Sequence, residues 1–115
     1  MKNVILMCLV VFITGCAQVK MMLAKHDPAM ADHYVRTVVA VDDASCEAKD
    51  TLVSAVGSAR LLAKYAEFRD DPQVESAKAV LVNLQKAEAS PAACGRWLSL
   101  AKQRLEVLNK AWSTR

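Results

Sequence analysis

The chain has 115 residues, enough for one domain with a single modest core. Its 15 Lys and Arg are interspersed with 12 Asp and Glu, which excludes the concentrated basic face of a nucleic-acid binder. Only three Gly and three Pro punctuate an Ala-rich sequence, so helices are favoured over a sheet.

The chain begins with one positive charge, Lys2, then ten consecutive apolar residues, Val4 to Ile13. A permanent membrane span needs about 20 such residues. The run fits instead the apolar segment of a secretory signal peptide, with a charged start and small residues at the cut. It ends in Ile13-Thr14-Gly15-Cys16. This quartet resembles the lipobox of bacterial lipoproteins: an aliphatic residue, a small one, Gly, then Cys. The resemblance implies that the Cys16 thiol is acylated, the chain is cut before it, and the new amine is acylated too. The alternative is an ordinary signal peptide that carries a Cys. In such lipoproteins an Asp directly after the cysteine retains the protein in the inner membrane. Ala17 stands there, so the resemblance implies the periplasmic face of the outer membrane. Residues 1–15 are then the signal peptide, 16–27 a lipidated tether, and 28–115 a helical bundle domain. Two acyl chains suffice for stable anchoring.

Export implies an oxidising compartment, where a disulfide persists. Of the four cysteines, Cys8 leaves with the signal and Cys16 is the lipid site. Cys46 and Cys94 remain as a disulfide candidate, with two buried free thiols as the alternative.

Asp27-Pro28 is a helix start: Asp caps free N–H groups, and Pro sits where its missing donor costs nothing. A first helix is expected to about Val41, with Met30, Tyr34, Val38 and Val41 on one face. The β-branched run from Tyr34 to Val41 would also suit a strand, but no partner strand appears elsewhere. Asp42-Asp43-Ala44-Ser45 is expected to open a second helix, to about Phe68. Leu52, Val56, Ala59 and Ala63 share its main stripe, while Leu61, Tyr65 and Phe68 form an offset apolar patch. Such a helix is either central in its bundle or offers a face to a partner. Asp71-Pro72 repeats the start signal for a third helix. Val74, Ala77, Leu81 and Leu84 line that helix, which ends near Ala89. Ser90-Pro91 opens the last helix, in which Cys94, Trp97, Leu98, Ala101, Leu105, Leu108 and Trp112 hold helical spacing for over five turns.

Short connections make neighbouring helices antiparallel. The expected fold is therefore all-α, a small up-down bundle of three to four helices. The starts of the second and fourth helices then lie at one end, which brings Cys46 to Cys94. A bridge there closes a loop of about 49 residues and acts as a staple. A redox pair would more often be spaced C-x-x-C.

No catalytic constellation is legible, so an enzyme is not expected. His26 and His33 belong to no nucleophile or zinc motif, and Ser58 lacks the glycine flanks of a nucleophile elbow. The acid pairs Asp42-Asp43 and Asp70-Asp71 read as helix capping. Met21, Met22, His26, Met30 and His33 combine ligands that suit Cu(I), but Pro28 interrupts the run, and neither a metal nor a cofactor is expected.

A lipobox, a helical domain of about 100 residues and a cysteine pair tying two helices together resemble the pilotins of type II secretion systems, the PulS/OutS kind. The most specific segment is Leu84 to Cys94, a helix end followed by Ser90-Pro91 and the second cysteine, with Trp97 beyond. The resemblance implies escort: the bundle holds a short segment of a secretin subunit between helices, and the acyl chains deliver it to the outer membrane. Candidate partner-binding residues are Leu61, Tyr65, Phe68 and Trp112, with core or tail packing as their alternative role. A periplasmic immunity protein that neutralises a secreted toxin is the second reading, and a structural envelope lipoprotein the third. The partners expected are thus a membrane, through the acyl chains, and a protein; nucleic acid is not.

Overall fold

The computed structural model describes residues 27–113. The expected signal peptide, lipobox and tether up to His26 lie outside the described residues, as do residues 114–115. The described chain forms four helices: α1 (Pro28–Asp43), α2 (Lys49–Phe68), α3 (Val74–Ala89) and α4 (Cys94–Ser113). A short 3-10 turn, Pro91–Ala93, leads into α4. Among the described residues the only β pairing is an isolated bridge between Ser45 and Ala48. The up-down bundle expected from the sequence is therefore the fold, and the Tyr34–Val41 run is helical despite its β-branched content.

Two helix ends have clear local causes. Asp27 caps α1 by accepting from the backbone N–H groups of Ala29 (3.0 Å) and Met30 (3.2 Å), with Pro28 in the first turn. At the other end of α2, Asp70 takes a positive φ of 52°. Its N–H bonds the Glu67 carbonyl, and the Asp71 N–H reaches back to Ala66. This pair of bonds is a Schellman stop, with Asp in the left-handed position where Gly is commoner. The Asp71 carboxylate, 3% exposed, then accepts from the Gln73 N–H at 2.7 Å and shapes the turn into α3.

One boundary departs from the sequence reading. Asp42 and Asp43 do not open α2; they end α1. Their carboxylates lie at the negative end of the helix macrodipole, so capping does not explain them. The link between the helices is residues 44–48, held by Thr51. Its hydroxyl oxygen accepts from the Ser45 N–H at 2.9 Å, and the hydroxyl lies against the Ala48 carbonyl. Cys46 therefore sits in this loop, not on the first turn of α2.

α3 lies between α2 and α4, while α1 packs on α2 and more lightly on α4. The core uses the expected stripes: Met30 and Val41 from α1, Leu52, Val56, Ala59 and Ala63 from α2, Ala77 and Leu84 from α3, and Leu98, Ala101, Leu105 and Leu108 from α4. Tyr34, Val38, Val74, Leu81, Trp97 and Trp112 pack against it, half-buried. Ala55, Leu62, Ala66, Val80 and Ala87 widen the stripes. The many alanines let helix backbones approach, so a small bundle closes without many large side chains.

Cys46 and Cys94 form a disulfide, with Cα atoms 5.9 Å apart. It ties the α1–α2 loop to the first residue of α4. The cysteines thus come together for the reason the up-down topology supplies.

Besides Asp71, two buried polar residues interrupt the core. Thr37 is fully buried; its hydroxyl lies 2.7 Å from the His33 carbonyl on its own helix and 3.2 Å from the Ser58 carbonyl on α2. It is satisfied across the α1–α2 contact. Asn83, 5% exposed, leaves its Nδ2 without a hydrogen-bond partner. A buried donor left unpaired costs about 1–3 kcal/mol. Asn83→Leu is therefore expected to stabilise the bundle by about 1 kcal/mol, read as a higher denaturant midpoint at unchanged slope.

Candidate partner-binding surface

The C-terminal end of α2 and the start of α1 meet at one polar node. Asp27, besides capping α1, accepts from the Tyr65 hydroxyl at 2.8 Å and lies 3.3 Å from Arg69 Nε. Its carboxylate is only 7% exposed. The Tyr65 ring is flanked by His33 on α1, with centroids 5.0 Å apart, and by Phe68, at 6.5 Å. Tyr65 therefore joins α1 to α2 through its tip, while its body supports the rings on either side.

Beyond Tyr65 the surface is apolar and open. Phe68 is 81% exposed and Leu61 60%. The two residues share one side of α2, two turns apart, with Tyr65 on the flank towards α1. A ring exposed to this degree forgoes most of the stabilisation that burial of a Phe confers, about 1.5–3 kcal/mol. Lys64, on the same side, is loosely paired with Glu67 at 3.9 Å.

Trp112, the fourth candidate, is engaged differently. Its ring meets Tyr34 edge-on at 5.5 Å, and its indole N–H donates to Asp71 at 3.3 Å. It closes the seam between α1, α4 and the α2–α3 turn. The Tyr34 hydroxyl donates in turn to the Leu105 carbonyl at 3.0 Å. The structure thus gathers Leu61, Tyr65 and Phe68 at one end of α2 and gives Trp112 packing partners of its own. The contribution of Tyr65 and Arg69 to holding Asp27 was not legible locally, because Tyr65 lies 38 residues from it in sequence and Arg69 lies beyond Tyr65.

Both tyrosines have phenol pKa values raised above 10. Burial raises that of Tyr34, helped by Glu106 and Asp42. For Tyr65 the hydrogen bond to Asp27 is the main cause, then burial and the Asp27 charge, with Arg69 opposing. A raised folded pKa favours the protonated form in the native state. The stabilisation is therefore full below the unfolded value of about 10 and is lost as pH rises through the folded value. Denaturant midpoints are expected to fall above about pH 10, and Tyr65→Phe is expected to flatten that fall without abolishing it, because Tyr34 still titrates.

Among the described residues no cluster of His, Cys, Asp or Glu is placed to hold a metal ion. Of the soft-ligand run, Met30 is core and His33 stacks near Tyr65; Met21, Met22 and His26 lie outside the described residues. No helix among the described residues is long and apolar enough to cross a membrane. Comparison with models of known protein families, with curated proteins and with solved structures gives no match.

Proposed function

We propose that the protein is a lipid-anchored helical binding module of the periplasmic face of the outer membrane, acting as a pilotin: it binds a secretin subunit and aids its targeting to that membrane. Two features support this. The Ile13-Thr14-Gly15-Cys16 quartet supplies the anchor. The single observation that carries the binding role is the 81% exposure of Phe68, one end of a rigid helix, with Leu61 beside it. An amphipathic segment laid on that face would bury both side chains, as in helix-in-groove recognition. Tyr65 would fix the floor, because its hydroxyl is already committed to Asp27. Trp112 would contribute indirectly, by holding the turn that follows α2.

Isolation of the lipidated protein from membranes, with identification of what co-purifies, tests both halves. A secretin subunit is expected, lost in a Leu61→Asp, Phe68→Asp variant that keeps its helicity. Cys16→Ser is expected to move the protein into the soluble periplasmic fraction. Recovery of a secreted toxin instead would favour the immunity reading. Recovery of no envelope protein would leave only the structural envelope role.

A further inference from the structure

We propose that the outer face of α2 pairs with α2 of a second copy of this chain, antiparallel, about a two-fold axis beside Gly57. The argument starts from that glycine. Gly57 lies mid-helix, where Gly costs about 0.5–1 kcal/mol relative to Ala. The monomer has no use for it. No glycine of the described chain has positive φ, and a Cβ built on Gly57 meets nothing within 4 Å. A missing side chain that nothing inside the molecule requires is explained by a backbone approaching from outside.

The residues around it are arranged for that approach. Asp50, Val53, Gly57, Leu61 and Lys64 follow one another at spacings of 3, 4, 4 and 3, so they form a single stripe along the helix. Val53 is 52% exposed, Leu61 60%, and the Lys64 side chain 75%. Asp50 is exposed as well. The stripe is symmetric about Gly57. Turned end for end, it sets Gly57 on Gly57, Val53 on Leu61, and Asp50 on Lys64. Apolar meets apolar and acid meets base, twice over, which is the self-complementarity that a two-fold interface demands. The other charges nearby are Lys49, Arg60 and Glu67; only the loose Lys64–Glu67 contact competes with the new pair. A single helix pair buries less than the roughly 1,000 Å² of a stable complex, so the association is weak and reversible. It rests on α2 alone and stands whether or not Cys16 carries acyl chains. Because it uses Leu61, a bound partner and a second copy would compete.

Facing cysteines report the pairing directly. In the full chain, in host membranes, Val53→Cys combined with Leu61→Cys is expected to give a disulfide-linked dimer on a non-reducing gel, because each new cysteine faces the other one of the second copy. Either substitution alone should give little, since like positions lie about 12 Å apart along the axis. In the double-cysteine background, Asp50→Lys sets like charges together and is expected to cut the yield roughly 2- to 30-fold, the worth of two exposed pairs. Adding Lys64→Asp should restore it. Equal dimer from the double variant and from either single variant overturns the proposal, as does failure of the double charge swap to improve on Asp50→Lys alone. Circular dichroism confirms that each variant is folded.

Discussion

Removing the Cys46–Cys94 bridge is expected to cost about 4 kcal/mol, the value that chain entropy assigns to the loop it closes. The bridge joins residues 48 apart in sequence. A domain of this size has a net stability of about 5–15 kcal/mol, so the loss takes a large share of it. The midpoint of thermal unfolding should fall by roughly 15–30 °C, at about 4–8 °C per kcal/mol. Cys46→Ser with Cys94→Ala is the appropriate pair, because Cys46 is exposed while Cys94 is 1% exposed and needs an apolar replacement. The wild-type protein in reductant should show the same shift. A drop of only a few degrees would mean that the reduced, unfolded chain keeps residual structure, since the staple acts chiefly by restricting the unfolded state. Helicity of the reduced protein should persist at low temperature, because the shared core of α2, α3 and α4 rests mainly on Leu, Val and Ala side chains, with Cys94 as its one sulfur.

The parts of this fold that were legible in the sequence are those with local causes. Asp27-Pro28 announces a helix start through capping chemistry complete within four residues; at Ser90-Pro91 a helical turn also begins, but the Ser90 side chain makes no capping bond and only the proline matches the expected chemistry. The α4 stripe from Cys94 to Trp112 was readable because period and polarity agree over five turns. The α1–α2 boundary misled for the same reason turned round. Asp-Asp-Ala-Ser has cap chemistry, yet α1 runs two residues past the buried Val41, and the first two acids fall at its end. Nothing in the sequence marks that stop, because the cap position is Ala44, not Gly. Part of the alanine core was hidden: Ala55, Ala66 and Ala87 are buried, while Ala29, Ala31 and Ala89 are exposed, and composition treats them alike. Polar burial was least visible. Thr37 and Asn83 interrupt apolar faces, and only tertiary contact shows that one is satisfied and the other not. At the candidate surface, the offset patch was readable as Leu61, Tyr65 and Phe68. Its division into two exposed residues and one tied to Asp27 was not.

Asp27→Ala is expected to cost about 2–3 kcal/mol, more than loss of a helix cap alone. Four groups meet this one carboxylate: the two N–H groups of α1's first turn, the Tyr65 hydroxyl and Arg69. The cap accounts for about 1 kcal/mol. The Tyr65 bond to a charged acceptor adds about 1.5 kcal/mol or more, and leaves a half-buried hydroxyl without its partner when removed. Arg69, with its side chain 33% exposed, is screened by water and adds little. Asp27→Asn separates the contributions. Its amide oxygen still caps the helix, so it should lose only the charge-dependent part, about 1 kcal/mol. Amide hydrogen exchange gives the spatial readout: Ala29 and Met30 should exchange faster in the Ala variant and near-normally in the Asn variant. Equal losses in both variants would assign the whole effect to charge and none to capping. The bundle is thus closed by different means at its two ends. A covalent bond holds the α1–α2 loop to the start of α4, and a shared carboxylate holds the start of α1 to the last turn of α2. The chain that precedes Asp27 joins the bundle at the second of these. A pull along that chain therefore loads α2 through Tyr65 and Arg69 as well as α1, and the rigidity of the Leu61–Phe68 face depends on the same carboxylate.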